Sequence, residues 1–388
     1  RCLSCSSVAL RWAGWAGAAT VAVATAAARC PSAVGRCAAA VVEGAVLAWR
    51  EFRVESILVG IPSRIEAELA RLGARDVPLE IREAPQLIEI GESPARVLKT
   101  KPDSSIRVAL RLVKEGGAAA VFSAGDTGCA FASALYELQR LKGVIRPAIA
   151  ALIPTLKGFS VMLDVGANFN PKPQQLFQYG LMGAVYTEAV LGKERPTVGL
   201  LNVGGEDTKG TESLKEAHQI FQRSNLNFVG NVEGNTIFQG IPDVIVCDGF
   251  SGNVALKVSE SLSEMFTSLL RNEVEHSWRS KIGYMFLQNG IKSMRRRTDY
   301  SEYGAAPLLG LGGLCTIGHG RSSAKAVKNG IRTTANIVRQ NLNARIQAEL
   351  ERHVSAQRGG EVGWRLWNQI RTGLFHGSSP DSPGKADS

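Results

Sequence analysis

Four apolar segments of the sequence end in the same chemistry: a glycine, a polar side chain, and then the start of a helical pattern. These turns lie at residues 123–128, 166–168, 204–207 and 249–253. Glycine lets a backbone approach a ligand closely, and a helix N-terminus offers unpaired N–H groups to an anion. In an open parallel sheet such turns gather at the carboxyl edge of the strands. Together the four predict a shared anion site, although each turn alone could merely connect a strand to a helix.

Three lysines lie close in sequence to these turns and could balance the charge of a bound anion: Lys172, Lys209 and Lys257. We expect Lys257 to be the catalytic cation, because it lies one to two turns into a helix that starts at a Gly-Asn turn. The ordinary alternative for this residue type is a solvated surface lysine.

Other polar side chains near the turns could take part in the same chemistry. His319, between two glycines, could donate a hydrogen bond to a carbonyl or a phosphate, or it could be structural. Asn253 and Asp248 could orient the lysine or the anion, whereas Asp164 could equally cap a helix. The predicted catalytic residues are Lys257, His319 and Asn253, and the predicted binding residues are Ser123, Gly125, Asp126, Thr127, Gly128, Asn168, Lys172, Asn202, Gly204, Lys209, Asp248, Gly249, Ser251 and Gly252.

Short apolar strands and helical patterns alternate from Val41 onward, and these elements must position the turns. Strands are predicted at 56–60, 79–81, 86–90, 118–123, 147–153, 160–165, 196–203, 226–229 and 242–248. Helices are predicted at 41–52, 61–72, 108–114, 127–141, 173–193 and 210–223, with a long helix from 251. This alternation predicts an α/β fold in which a mostly parallel sheet is covered by helices on both faces.

The composition limits the classes of protein to which this chain can belong. The chain has 388 residues, of which 45% are hydrophobic and 21% charged, so it is neither disordered throughout nor a multi-span membrane protein. A net charge of +10 suggests an acidic partner but does not show which kind of partner it is. Among the seven cysteines, Cys2 and Cys5 form the single CxxC pair, and we predict neither a metal nor a cofactor.

Six motifs come in an order that closely resembles the phosphate acyltransferase (PlsX) family of bacterial phospholipid synthesis. They are SAGDTG at 123–128, LDVGAN at 163–168, LLNVG at 200–204 with KG at 209–210, GNVEG at 230–234, CDGFSGNVALK at 247–257, and DYSEYG at 299–304 with APLLG at 306–310. The resemblance covers about residues 41–351. Residues 352–388 would then be a flexible tail.

The resemblance implies that acyl-(acyl carrier protein) and inorganic phosphate give acyl phosphate and free carrier protein. It implies a three-layer α/β/α fold similar to isocitrate and isopropylmalate dehydrogenases and to phosphotransacetylases. It also implies a cytoplasmic homodimer, peripherally associated with the membrane, whose product passes to the glycerol-3-phosphate acyltransferase PlsY. Phosphate is already a nucleophile near neutral pH, so no Ser-His-Asp triad is needed. Cys129 is accordingly interpreted as a packing residue.

Three departures from the family pattern affect the expected site. Asp126 stands where the family has asparagine, and its charge should weaken an anion cradle. Ala305 stands where the family has a second glycine, which would strain a turn that needs a positive φ. Residues 1–40 contain no acid and lack the family's opening loop. We interpret this segment as a frameshift or a mis-called start, although a leader peptide would look similar, and we expect the opening strand to be missing.

One basic segment predicts a surface contact. Residues 276–298 contain no acid but carry six lysines or arginines among large apolar residues. Such a helix suits an anionic membrane or the acidic carrier protein, or it could be buried against a dimer partner.

Three functions therefore compete at this point: the phosphate acyltransferase, a phosphotransacetylase-like enzyme that uses acyl-CoA, and a catalytically impaired membrane adaptor. Nucleic-acid binding is not expected, because the basic residues form no known binding motif.

Overall fold

In the computed structural model, residues 19–25, 34–89, 91–298, 304–318 and 322–358 are described. His319 and most of the predicted tail lie outside these ranges. The eleven strands of the described part are β1 (Val21–Ala24), β2 (Ser56–Gly60), β3 (Glu80–Glu83), β4 (Ala120–Ser123), β5 (Ala148–Thr155), β6 (Gly158–Leu163), β7 (Thr197–Leu201), β8 (Asn227–Val232), β9 (Val244–Val246), β10 (Ala306–Leu309) and β11 (Leu314–Ile317).

Helices fill most of the connections between these strands. The described α-helices are α1 (Val34–Phe52), α2 (Pro62–Arg71), α3 (Pro94–Thr100), α4 (Ser105–Lys114), α5 (Thr127–Leu138), α6 (Pro173–Leu191), α7 (Glu212–Gln222), α8 (Gly249–His276), α9 (Trp278–Thr298), α10 (Ala324–Arg339) and α11 (Leu342–Arg358). Their starts follow local signals, because side chains at Asp126, Thr211 and Asp248 accept hydrogen bonds from the first turn.

The strands form one sheet in the order β3-β2-β1-β4-β11-β10-β5-β6-β9-β7-β8. Seven of the described pairings are parallel. Three consecutive pairings in the middle, β11 with β10, β10 with β5 and β5 with β6, are antiparallel. The sheet therefore consists of two parallel groups that run in opposite directions.

Side chains that alternate along the strands divide between the two faces of this sheet. Ala22 and Met162 belong to one core cluster, which α4, α5 and the first turns of α8 cover. Their neighbours Val23 and Leu163 face the other side, where α1 and α10 cover one half and α6, α7 and α11 cover the other. The prediction of a three-layer α/β/α fold with a mostly parallel sheet is confirmed.

The N-terminal segment corrects one expectation. The opening strand is not missing: Val21–Ala24 forms β1, which is fully buried and pairs in parallel with both β2 and β4. An uncharged Val-Ala run suits a strand that is buried on both faces, which is also why it looks like part of a leader. The domain therefore begins before residue 41.

Three further expectations are wrong at the level of single elements. The strand predicted at 86–90 is one bridge between Gln86 and Ser104. The predicted tail from residue 352 begins inside α11, where the His353 ring lies 4.5 Å from that of Phe177. Ala305 is not among the described non-glycine residues with positive φ; Gly304 takes that conformation, with φ +64°.

Candidate active site

The second turn is organised by a buried acid. The Asp164 carboxylate has no exposure to solvent and accepts hydrogen bonds from the N–H groups of Gly166, Ala167 and Asn168 at 2.6–3.2 Å. It also accepts from the Asn168 side chain at 2.9 Å and from Ile149 N at 3.1 Å. Burial raises the pKa of this carboxyl, while the N–H groups oppose the shift. Asp164 is therefore the internal acceptor of the turn rather than a helix cap.

The fourth turn packs directly against the second. Gly249 N donates to Asn168 O at 2.7 Å, and a Cβ on Gly249 would lie 2.9 Å from both Asn168 N and Asn168 O. A Cβ on Gly252 would lie 1.9 Å from Asp164 O. Only glycine at these two positions allows α8 to begin so close to the second turn.

The N–H groups at the start of α8 have an acceptor in the protein. Asp248 Oδ1 accepts from Phe250 N and Ser251 N, each at 2.9 Å, and Asp248 Oδ2 accepts from Ser251 Oγ at 2.7 Å. In the second and fourth turns, carboxylates of the chain thus occupy the donors that the sequence assigned to a bound anion. Binding of an anion at this edge then falls to side chains.

The third turn closes on itself around Asn202. Its amide donates to Lys209 O at 3.1 Å and accepts from Val203 N at 2.8 Å, and a Cβ on Gly210 would meet it at 2.4 Å. The buried His218 supports this turn from α7, because its Nδ1 lies 3.1 Å from Asn231 Oδ1 and its Nε2 lies 3.2 Å from Asp207 Oδ1. Asn202 therefore shapes the turn that carries Lys209.

Asn253 and Lys257 lie one turn apart on the same face of α8. A Cβ on Gly166 would lie 3.8 Å from Asn253 Oδ1, so this amide faces the second turn. The Lys257 side chain is 54% exposed, and its Nζ lies 3.5 Å from Glu260 Oε2. Lys172 precedes α6, and the neighbouring Pro171 O accepts from Ser213 Oγ at 3.1 Å, which joins the second turn to the start of α7. The second, third and fourth turns thus share one edge, carrying a predicted amide and three predicted lysines.

The first turn follows a strand of the other parallel group. β4 runs opposite to β6, β9 and β7, but the register through β11, β10 and β5 places Ser123 level with Met162, so β4 and β6 reach the same row of the sheet from opposite directions. Ser123 Oγ accepts from Gly125 N at 3.3 Å, and Ser123 O accepts from Gly318 N at 2.7 Å. The expectation that the four turns follow strands of one direction is therefore wrong, whereas a site shared by all four stays a prediction. His319 follows Gly318 but lies outside the described residues.

The remaining residues of the first turn begin α5. Thr127 and Gly128 form its exposed first turn, and the Asp126 carboxylate caps it by accepting from Cys129 N at 2.8 Å. Burial, with the nearby Asp126 charge, raises the pKa of the Cys129 thiol to about 12. This thiol is thus protonated at neutral pH and a poor nucleophile, in line with its interpretation as a packing residue.

Sequence reasoning missed the roles of Asp164 and His218, which act through the turns. For Asp164 the available signal was an acid placed two residues before the glycine of a Gly-Ala-Asn turn. Within the described ranges, no group of three or more His, Cys, Asp or Glu is placed to hold a metal ion.

Two solved structures of similar architecture define the class of protein. A phosphotransacetylase from Streptococcus pyogenes matches with a TM-score of 0.56 and 16% identity, covering 82% of this chain and 94% of that chain. The EutD phosphotransacetylase from Staphylococcus aureus matches with a TM-score of 0.54 and 14% identity, with the same coverage. At these identities the likeness concerns the fold alone: the chain has the phosphotransacetylase architecture.

The family follows from sequence comparison. The family described as "Fatty acid synthesis protein" matches residues 35–345. A phosphate acyltransferase of Geobacter sulfurreducens is 44% identical over 315 residues, 81% of this chain and 91% of that protein. A phosphate acyltransferase of Pelotomaculum thermopropionicum is 45% identical over 311 residues, 80% of this chain and 91% of that protein. The chain belongs to this fatty acid synthesis protein family.

Proposed function

We propose that this protein is a phosphate acyltransferase, which transfers the acyl group of acyl-(acyl carrier protein) to inorganic phosphate for phospholipid synthesis. The observation that carries the proposal is the 44–45% identity to proteins named phosphate acyltransferase, extending over 91% of their length. In the reaction a phosphate oxygen attacks the thioester carbonyl, the C–S bond breaks, and the carrier protein leaves as a thiolate that takes up a proton.

The edge shared by the second, third and fourth turns is the proposed phosphate site. Asn253 provides an amide donor beside the backbone of Gly166, and Lys257 provides a cation on the same face of α8. Lys172 and Lys209 add positive charge from neighbouring turns. A cation and an amide placed beforehand stabilise the charge that develops on the phosphate and carbonyl oxygens.

The first turn and His319 form the second part of the proposal. We assign them to the acyl thioester, because the exposed Asp126 carboxylate at the start of α5 would repel a phosphate. Ser123, Gly125, Thr127 and Gly128 then contribute backbone and hydroxyl groups to the substrate.

A phosphotransacetylase-like activity on acyl-CoA is the second candidate, which the shared fold favours. The deciding experiment measures acyl phosphate formed from phosphate with acyl-(acyl carrier protein) and, in parallel, with acyl-CoA of the same chain length. Turnover with the carrier protein alone supports the proposal, and turnover with acyl-CoA alone replaces it with the second candidate. If neither thioester reacts with a folded protein, the proposal is refuted in favour of a non-catalytic adaptor.

The hairpin of α8 and α9 supports proposals on partners. It exposes large apolar side chains along both helices, namely Val258, Leu262, Met265, Phe266, Leu269, Trp278, Ile282, Met285, Phe286 and Leu287. We propose that α9, with its six basic residues, rests on an anionic membrane, and that α8 contributes to a homodimer. Delivery of acyl phosphate to PlsY at that membrane follows from the same proposal. Among the described helices, none is both long and apolar enough to cross a bilayer.

A further inference from the structure

The Asp164 carboxylate is a buried acid that accepts most of its hydrogen bonds from one turn. Five donors converge on its two oxygens, four of them from Gly166, Ala167 and Asn168. All five donors are uncharged, so desolvation of the carboxylate is offset by hydrogen bonds alone. A protonated carboxyl would aim its own O–H at one of these donors, so the geometry is that of the ionised acid.

The turn that Asp164 holds is the surface on which α8 begins. Asn168 O accepts from Gly249 N at 2.7 Å, and Asp164 O lies where a Cβ on Gly252 would be, at 1.9 Å. Asp164 N donates to Cys247 O at 3.0 Å, and the buried Cys247 thiol donates back to Asp164 O at 3.2 Å. The backbone on both sides of Asp248 is therefore fixed against residues 164–168.

We propose that Asp164 is a positioning residue for the reaction: through the second turn it places the start of α8, and with it Asn253 and Lys257, at the phosphate. The inference rests on the proposed function for its chemistry but not for its geometry. Asp164 touches no substrate in this scheme. A displacement of about 1 Å at the reacting groups can lower turnover on the order of 10²-fold, so a small shift of the turn is sufficient.

Two variants perturb the turn from opposite sides. Asp164→Asn keeps the size of the side chain but turns an N–H₂ group toward N–H donors, which loosens residues 166–168. Gly249→Ala leaves Asp164 intact and pushes a methyl group to 2.9 Å from the Asn168 backbone. If Asp164 acts by positioning, both variants show the same signature, a lower kcat and a higher KM for phosphate with little change in KM for the acyl carrier protein. Gly249→Ala keeps the test valid if Asp164→Asn fails to fold.

A matched control separates positioning from stability. Asp243 is a hydrogen-bonded carboxylate at the opposite end of β9, where it accepts from Lys193 Nζ at 2.6 Å and from Thr197 N at 2.8 Å. Asp243→Asn should lower Tm but leave the ratio of kcat to KM for phosphate unchanged. Equal kinetic effects from Asp243→Asn and Asp164→Asn would overturn the inference, because both would then act through general destabilisation.

Hydrogen exchange tests the geometry without turnover. We expect amides of residues 166–168 and 249–253 to exchange faster in Asp164→Asn than in the parent, and to be unaffected in Asp243→Asn. Unchanged exchange at 249–253 would refute the link from Asp164 to α8. A parent that makes no acyl phosphate would refute the proposed function, whereas an active parent with a fully active, folded Asp164→Asn would refute this inference alone.

Discussion

Removal of the Lys257 ammonium should damage catalysis while leaving the fold intact. The side chain is 54% exposed, and its Nζ lies 3.5 Å from Glu260 Oε2 on the same helix. Exposed pairs with this spacing contribute about 0.3–0.5 kcal/mol to stability, so the loss of this pair in Lys257→Ala should lower the free energy of unfolding by about that amount.

The expected effect on turnover is much larger. A preorganised group that stabilises charge in the transition state is worth about 3–4 kcal/mol, which corresponds to a loss of about 10²- to 10³-fold in kcat. Lys257→Arg retains the charge in a different geometry and should lose less. Glu260→Gln removes the neighbouring acid and should keep turnover, because the lysine itself remains.

The assay is the initial rate of acyl phosphate formation at saturating phosphate, with Tm measured on the same samples. Arg271→Ala is the matched control, since it removes one exposed positive charge further along α8. A near-normal kcat for Lys257→Ala at saturating phosphate would remove Lys257 from the catalytic machinery. A higher KM for phosphate with kcat unchanged would limit its role to uniform binding of the anion.

Three further outcomes test the proposed arrangement. Asp126→Asn should leave the KM for phosphate unchanged, because the α5 cap is kept and the first turn is assigned to the thioester; a fall in KM in phosphate titrations would move the phosphate to that turn. Replacing residues 295–297 by glutamine should reduce binding to anionic vesicles in flotation assays by about 1 kcal/mol per charge, with little change in soluble turnover. Cys129→Ala should retain turnover with both substrates, because a thiol with a pKa of about 12 is protonated and is not needed for direct attack by phosphate.

The vesicle-binding test has two controls and two alternative outcomes. Glutamine at Arg64, Arg75 and Lys114, which are exposed and lie outside α9, removes the same charge and should leave vesicle binding intact. Added salt should weaken vesicle binding of the parent, since attraction between exposed charges is screened. If the 295–297 variant binds vesicles normally but no longer dimerises, the segment is a subunit interface. A lower rate with carrier protein alone would instead assign the arginines to docking of that acidic partner.

Local chemistry in the sequence was sufficient for most elements of the fold. Uncharged runs followed by glycine turns predicted the buried strands around Val121, Leu163 and Val246, because a strand covered on both faces must be apolar along its length. Asp126 and Asp248 stand directly before helical patterns, and both cap helices in the structure. These features depend on residues within one turn or one strand, so a single segment contains the information for them.

The tertiary structure decided which strands pair and in which direction each strand runs. Val21–Ala24 has no local signal that separates a central strand from a leader, and only its pairing with β2 and β4 assigns it. The same apolar pattern suits a strand that runs either way, so the three antiparallel pairings that make β4 run opposite to β6 could not be read from the sequence. A glycine turn likewise offers its N–H groups to any acceptor. Whether that acceptor is a substrate or the buried Asp164 depends on which side chain the folded chain brings within hydrogen-bonding distance.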